Sequence, residues 1–319
     1  MPDRLARALR ALWAAHPALT AVALAMLPVL AASAVGIVVD PRRVTGAPAW
    51  LKPAKFAASI AIYSLTMAWI VGLLRDAWPR LTRRAGNVVA AMFALEIVVI
   101  VVQAARGHAS HFNVATPLDA TLFSVMGTGI LVQTLAAATI AVAAFRTTFA
   151  DRAAGEAVRW GLVLSLAAAS IGAFMTRPTA AQLDGIHAGA RPTAIGAHTV
   201  GAPDGGAGLP GLGWSTQHGD LRVGHFFGLH ALQALPLLAW VLARRRVPQR
   251  ERAAVVRIAA GAWGAVTLTL VWQALRGVPL LAADAPTALA LGAIAVLTFA
   301  AAAIVLRRPG HAPLVPSRS

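Results

Sequence analysis

Long apolar runs alternate with short polar segments along nearly the whole chain. A run of about 20 apolar residues can cross the hydrocarbon core of a bilayer as a helix. Inside the bilayer each backbone group must be bonded within its own segment, so these runs are predicted to be helical. The predicted spans are residues 17–38, 54–74, 86–105, 120–145, 157–175, 223–243, 254–275 and 285–306.

Three segments fall outside this pattern. Residues 1–16 are Arg-rich with spaced leucines, which predicts an interfacial helix lying on the membrane. Residues 176–222 are glycine-rich and long, which is typical of a functional or disordered loop. We interpret them as a flexible lid over the outer face, with a tolerated linker insertion as the alternative. The proline-containing tail, residues 309–319, is predicted to be disordered.

Span 1 also has features of a secretory signal peptide. Basic Arg4, Arg7 and Arg10 precede its apolar core, and Ala32-Ser33-Ala34 resembles a cleavage site. We expect the span to be retained, because its end resembles the end of span 5.

Two fragments of the chain repeat at a single offset. The sequence Leu51-Lys52-Pro53-Ala54-Lys55-Phe56 returns 170 residues later as Leu221-Arg222-Val223-Gly224-His225-Phe226, and Gln103-Ala104-Ala105-Arg106-Gly107 returns as Gln273-Ala274-Leu275-Arg276-Gly277. We therefore predict an all-α integral membrane protein built as a tandem four-plus-four duplication, with repeats at residues 17–150 and 151–308. Because each copy has an even number of spans, the repeats should be parallel.

The charge distribution predicts the topology. The formal net charge is +16, yet only 13% of residues are charged, against about 25% in a soluble domain. Arginines concentrate in the termini and in every second connection, which places both termini in the cytoplasm of a bacterial-type inner membrane. The basic charge then complements the lipid bilayer, and a nucleic-acid partner is not expected.

The chain has no cysteine and nine histidines. Thiolate chemistry is therefore excluded, and any metal would need His, Asp or Glu ligands. Seven of the histidines fall on the outer side or in the outer half of a span. Imidazole is the commonest metal ligand and changes charge near neutral pH.

Span 3 carries Glu96 and Gln103 on one helical face, which leads out to His108, His111 and Asn113. A carboxylate within a span normally points into the bundle and meets a partner. Glu96 could serve a proton relay or a ligand site, or could simply share a hydrogen bond with Gln103.

Span 6 carries His225 and His230, which are about 140° apart around a helix and cannot readily share one ion. Partners would have to come from span 3, with His108 or His111 the candidates. The hypotheses are a His-liganded transition metal or haem between spans 3 and 6, or histidines that only form interhelical hydrogen bonds. The supporting polar candidates are Gln103, Asn113, Asp119, Asp220, Gln233 and Gln273.

Basic residues also sit at outer span ends, against the topology bias. Lys52 and Lys55 are the only lysines in the chain, and Arg106, Arg222 and Arg276 occupy repeated positions. Such groups bind a carboxylate, a phosphate headgroup or haem propionates, or snorkel to outer headgroups.

Eight spans in two tandem sets of four, with outer histidines, form a layout similar to that of haem A synthases. The resemblance covers architecture only, and no residue role follows from it. Span 7 has no histidine, and Lys55 stands where the second copy has His225. The main functional hypothesis is a haem- or metal-binding membrane protein, with redox chemistry as one activity. The alternatives are a proton-coupled transporter of an anionic solute or lipid, and a non-catalytic assembly protein.

Overall fold

The computed structural model describes residues 2–307, and its regular structure is predominantly helical. The tail that the sequence predicts to be disordered, residues 309–319, lies outside the described residues.

Four long helices form the first half. They are α2 (Pro17–Val39), α3 (Leu51–Leu74), α4 (Pro79–Arg106) and α5 (Pro117–Phe145), preceded by α1 (Pro2–Ala15). A short hairpin joins α2 to α3, in which β1 (Arg43–Val44) pairs antiparallel with β2 (Ala47–Pro48). Along this half α2 packs on α3, α3 on α4 and α4 on α5.

The second half contains shorter elements as well. Its helices are α6 (Arg152–Met175), α7 (Ala180–His187), α8 (Leu221–Leu229), α9 (Ala231–Arg244), α10 (Gln249–Leu275) and α11 (Ala285–Arg307). A second two-stranded ribbon pairs β3 (Thr199–Val200) antiparallel with β4 (Gly219–Asp220). Here α6 packs on α8 and α9. Helices α8 and α9 both pack on α10, which in turn packs on α11.

Among the described residues, seven helices are long and apolar enough to cross a membrane, and the bent pair α8–α9 would make an eighth. This confirms the prediction of an all-helical chain and fits a multi-pass membrane protein. Large apolar side chains such as Leu131 (58% exposed) and Leu289 (73% exposed) cover the outside, as contact with lipid requires. The duplication and the sidedness of the termini stay predictions.

The two ends of the bundle differ in packing. We call the end where α2, α4, α6 and α10 finish the loop end, and the opposite end the arginine-rich end. Fully buried side chains concentrate toward the arginine-rich end, among them Leu19, Met67, Ile140, Leu162 and Leu235. Alanines on the first turns of α6 (Ala153 and Ala157) let neighbouring backbones approach closely there. The bundle is therefore closely packed at the arginine-rich end, and its open space lies at the loop end.

The predicted span 223–243 is broken in the structure. Helices α8 and α9 meet at His230 with a bend of 41°. Pro236 in α9 has no amide and crowds the carbonyl of Leu232, which favours a bend at this level. The lack of a side chain at Gly161 on α6 makes room for the start of α9, since a Cβ there would lie 3.1 Å from the Leu232 Cα.

Candidate ligand-binding cavity

A cavity of about 2000 Å³ lies at the loop end between the two halves. Helices α5 and α6 are joined at the arginine-rich end, where Arg159 donates from Nε to the Ala144 carbonyl (3.1 Å) and from Nη2 to the Thr147 carbonyl (2.8 Å). Toward the loop end the same two helices line the cavity, together with α3, α8 and the connection before α8.

The wall of the cavity within the membrane-spanning region is mainly apolar. Helices from both halves contribute aromatic and aliphatic side chains to it, namely Phe56, Ile60, Phe93, Phe123, Met126, Leu131, Leu166, Phe226, Phe227 and Leu229. A wall of this composition suits a long apolar ligand segment.

The loop end of the cavity is basic. Lys52 places its Nζ 2.9 Å from the Nδ1 of His111, on the turn after α4. Because an ammonium group has only donors, Nδ1 of His111 accepts this bond, and the imidazole proton then sits on Nε2. In this tautomer His111 can donate a hydrogen bond into the cavity but cannot ligate a metal through Nε2.

Residues 207–216, which we call the lid, cover the basic end as a small hairpin. Lys55 on α3 donates to the Leu212 carbonyl (2.8 Å), and Arg222 on α8 donates from Nη2 to the Gly213 carbonyl (2.6 Å). One side chain from each half thus holds the lid by consecutive main-chain carbonyls. The base of the lid is also held by the Ser215 amide, which donates to the Asp220 carboxylate (2.8 Å), and the backbone pairs of the hairpin are internal to it.

Arg222 is oriented by the residue that begins its own helix. Asp220 caps α8 by accepting from the Arg222 amide (3.0 Å), and its carboxylate also binds Arg222 through Nε (2.9 Å) and Nη2 (2.6 Å). The Asp220 side chain is fully buried and that of Arg222 is 21% exposed. No hydrogen bond from residues 2–307 reaches Arg222 Nη1, so this nitrogen keeps its donors for a ligand.

His198 and Asp204 form a second anchor for the segment before α8. His198 Nδ1 lies 2.7 Å from an Asp204 carboxylate oxygen, and its ring packs on Phe112 with centroids 4.7 Å apart. Burial lowers the pKa of His198, although the Asp204 bond opposes this effect. Burial would raise the pKa of Asp204, but the bonds from His198 and from backbone amides outweigh it and hold that pKa well below its usual range.

The pKa of His111 also lies far below its usual value. Burial is the main cause, and the positive charge of Lys52 and the neighbouring His198 and His225 add to it. His111 is therefore neutral at physiological pH.

Glu96 faces the cavity from the middle of α4. Its side chain lines the cavity wall and the residue is 5% exposed. No hydrogen bond from the described residues reaches its carboxyl group, and Lys52 is the charged group that acts on it electrostatically. The predicted bond between Glu96 and Gln103 is not formed.

His225 on α8 is held in one orientation. Its Nδ1 bonds the Ala168 carbonyl on α6 (2.8 Å), and the ring lies against Gly172, where a Cβ would approach Cε1 to 3.0 Å. A carbonyl bond of this kind leaves Nε2 unprotonated and available as a ligand atom.

A separate set of longer polar contacts lies near the break between α8 and α9 and along α3. His230 at the helix break lies 3.4 Å from Gln233, and Gln233 lies 3.4 Å from Thr66 on α3. On the first half, Gln133 approaches the Tyr63 hydroxyl, also at 3.4 Å. These long contacts place both predicted residues of α9 at the interface between the halves.

Other predicted site residues lie outside the cavity, in a network around Asp119. The fully buried Asp119 carboxylate accepts from Gln103 (2.9 Å), Arg106 (2.8 Å) and Thr116 (2.7 Å), and lies 3.2 Å from His108 Nδ1. This network fastens the end of α4 to the start of α5. Arg106 and His108 therefore serve this junction instead of contacting a cavity ligand.

The corresponding positions of the second half form a similar junction. Arg276 bonds Asp284 (2.6 Å) and Thr287 (2.8 Å) at the start of α11, and Gln273 donates to the Pro279 carbonyl (2.8 Å). Arg276 and Gln273 thus fasten α10 to α11.

Asn113 is likewise a loop-fastening residue. Its side-chain amide donates to the Ala109 carbonyl (3.2 Å), and its backbone forms an isolated bridge with Ala194. It ties the turn after α4 to the segment that follows α7.

Of the predicted site residues, the structure brings Lys52, Lys55, Glu96, His111, Arg222, His225 and His230 to one cavity. Within residues 2–307, no three His, Asp or Glu side chains lie close enough together to hold a metal ion. This arrangement does not support a bare metal site between spans 3 and 6. The sequence pattern does not single out His198 and Asp204, because loop residues without regular spacing give no signal.

A comparison of the chain with protein-family models, with curated proteins and with solved structures finds no match.

Proposed function

We propose that the protein is a membrane carrier that takes up an anionic amphiphile, a molecule with a long apolar part and an anionic headgroup. The observation that carries this proposal is one cavity with an apolar wall in the membrane-spanning region and Lys52, Lys55 and Arg222 at its loop end. Pockets for ordinary small molecules measure about 300–1,000 Å³. The cavity of about 2000 Å³ suits a ligand of lipid size.

The headgroup would meet donors that suit phosphate or carboxylate. Arg222 Nη1 has donors to spare, and the bonds of Lys55 and Arg222 to lid carbonyls can be exchanged for bonds to an anion. An anion adds charge–charge attraction that a neutral carbonyl acceptor does not supply, which favours this exchange. The positive-inside rule places the loop end on the outer face, so the headgroup would lie at the outer leaflet.

Access from lipid is supported by the helices on either side of the cavity. Ser124, Gly127, Thr128 and Leu131 on α5 and Ser170 and Ala173 on α6 line the cavity and are exposed. We infer that a ligand enters sideways between α5 and α6, with its apolar part staying in the hydrocarbon phase.

The test is binding of short-chain phosphatidylglycerol, compared with phosphatidylcholine of the same chain length, by isothermal titration calorimetry in detergent. Arg222→Gln and Lys55→Gln should each weaken phosphatidylglycerol binding about tenfold or more, because one charge-assisted bond contributes roughly 1.5–3 kcal/mol. The matched control is Arg191→Gln, an exposed arginine at the same end of the molecule. Equal affinity for both lipids, or equal effects of all three variants, would contradict the proposal.

Haem binding is the second candidate function, and His225 is the observation that favours it. Haem supplies four nitrogen ligands of its own, so a single oriented imidazole can serve as an axial ligand. His225 has the required orientation, and the basic end of the cavity could pair with the propionates. Adding hemin to the purified protein should then give a Soret shift that His225→Ala abolishes. The exposed His187→Ala on α7 is the control, and an unchanged spectrum in His225→Ala would exclude this candidate.

A further inference from the structure

Glu96 has an unusual position for a carboxylate. It lies ten residues before the end of α4 at Arg106, which is about 15 Å along the helix at 1.5 Å per residue. Its residue is 5% exposed, it faces the cavity, and no hydrogen bond from residues 2–307 satisfies it. A buried carboxylate inside a span is costly and is generally tied to a function. The carrier function proposed above does not use it.

Several ionisable groups line the same cavity as Glu96. On α3 these are Lys52, Lys55 and Tyr63, and on the turn after α4 there is the neutral His111. Of these, Lys52 is the cation that acts on the carboxylate.

The other packed or facing elements add no second cation that acts on Glu96. Helix α2 carries no ionisable residue along Pro17–Val39, and the Asp119 of α5 is occupied by Arg106 and His108. The loops and α8 contribute further ionisable groups to the cavity wall, namely Arg43, His198, Asp204, His218, Arg222 and His225, and His230 stands at the helix break. Glu96 therefore depends on Lys52 for stabilisation of its charged form.

We propose that binding of an anion at Lys52, Lys55 and Arg222 is linked to uptake of one proton by Glu96. This inference rests on the carrier function. An anion bound beside Lys52 cancels the positive field at Glu96 and adds a negative charge, so the carboxylate binds a proton more tightly. The proton comes from the aqueous phase at the loop end and ends on a carboxyl oxygen of Glu96. One negative charge and one proton enter together, so the low-dielectric cavity gains no net charge.

Linkage fixes the direction of the effect. If the complex holds one more proton than the free protein, affinity falls as pH rises, by up to about tenfold per pH unit. Glu96→Gln imitates the protonated carboxyl in shape and charge. The variant should bind at high pH about as tightly as the wild type binds at low pH.

The experiment uses the full chain and phosphatidylglycerol, whose phosphodiester keeps its charge across the pH range of about 5 to 8. Calorimetry in two buffers of different ionisation enthalpy gives the number of protons taken up per lipid. We expect uptake approaching one proton in the wild type, and a loss of this uptake in Glu96→Gln. Glu156→Gln is the control, because Glu156 pairs with Arg257 at the arginine-rich end. A His111→Gln variant, which should keep the uptake, separates the contribution of the imidazole beside Lys52.

Each outcome is decisive. Proton uptake that persists in Glu96→Gln, or that disappears in His111→Gln alone, overturns the linkage. If the wild type and Glu96→Gln both bind the lipid without proton uptake, the linkage fails while the carrier function stands. If neither binds phosphatidylglycerol in preference to phosphatidylcholine, the carrier function itself fails.

Discussion

At the scale of residues, the fully buried Asp119 carboxylate is the centre of one junction. It accepts hydrogen bonds from Gln103, Arg106 and Thr116, so the buried carboxylate and these three donors all have partners. The comparable Asp284 in the second half is 37% exposed and can exchange its bonds with water or lipid headgroups. The two carboxylates should therefore differ in their contributions to stability.

We expect Asp119→Asn to lower the free energy of unfolding by about 2 kcal/mol or more, because a buried donor left without its acceptor costs about 1–3 kcal/mol. Asp284→Asn is the matched variant and should have a smaller effect. Thermal unfolding in detergent, followed by intrinsic tryptophan fluorescence, measures both. Equal shifts in Tm would argue against the junction as described.

His111 and His198 predict the response of stability to acid. Both have folded pKa values below the usual value for histidine, mainly because of burial. Below an unfolded pKa of about 6.5 the unfolded chain binds protons that the folded chain does not. Stability should then fall as pH falls, by at most about 1.4 kcal/mol per pH unit for each histidine.

The measurement is Tm against pH from about 7 to 5. His111→Gln removes one titrating group, so its Tm should decline less steeply than that of the wild type. The exposed His187→Gln should leave the slope unchanged. A wild-type Tm that rises on acidification would contradict the assignment of buried neutral histidines.

At the scale of elements, hydropathy predicts the long helices well, but it does not predict the bend within residues 223–243. Seven of the predicted spans correspond to single helices whose ends lie within seven residues of the prediction, because a continuous apolar run of this length has one solution in a bilayer. The break at His230 depends on contacts of α8 and α9 with α6. In the sequence, only Pro236 indicates it. The hairpin at residues 43–48 and α7 also leave no clear hydropathy signal.

The candidate site was partly predictable for a similar reason. Sequence position shows that Arg106, His108 and Arg222 lie at span ends, but the choice of partner is made by packing. Arg106 and His108 turn to Asp119, while Arg222 turns to the cavity. Single-sequence patterns cannot rank such alternatives.

The β3–β4 ribbon gives a prediction at this scale. Gly219 packs so closely on α10 that a Cβ would lie 1.9 Å from the Ala274 carbonyl oxygen. Gly219→Ala must displace backbone, so we expect a loss of roughly 2 kcal/mol or more in stability. The control is Gly206→Ala, where a Cβ would have no neighbour within 4 Å. Tm of the two variants checks the prediction, and similar values would refute the close packing of β4 on α10.

At the scale of the whole molecule, the lid is held by both halves across the cavity. Lys55 comes from α3 and Arg222 from α8, and each holds one carbonyl of the lid. Opening of the lid tip at residues 212 and 213 therefore requires loss of both bonds, whereas the base of the lid keeps the bond from the Ser215 amide to Asp220 and the β3–β4 ribbon stays paired.

We expect Lys55→Met combined with Arg222→Met to speed amide hydrogen exchange in residues 207–216 by about thirtyfold, since two bonds of roughly 1 kcal/mol each are lost. Exchange at Val200 and Gly219 in the ribbon should change little. Hydrogen-exchange mass spectrometry measures both regions, with Arg191→Met as the control. Unchanged lid exchange would mean that the hairpin is held by its own bonds alone.

The bonds that hold the lid end on main-chain carbonyls, and this has a consequence for how the protein could diversify. Any residue at position 212 presents the same main-chain oxygen to Lys55. The free energy of closing the lid therefore depends little on which side chains the hairpin tip has. Substitutions can therefore change the side chains that the lid presents to the cavity while the scaffold stays constant. Libraries that randomise the tip and retain Lys55 and Arg222 should yield folded proteins with altered ligand preference.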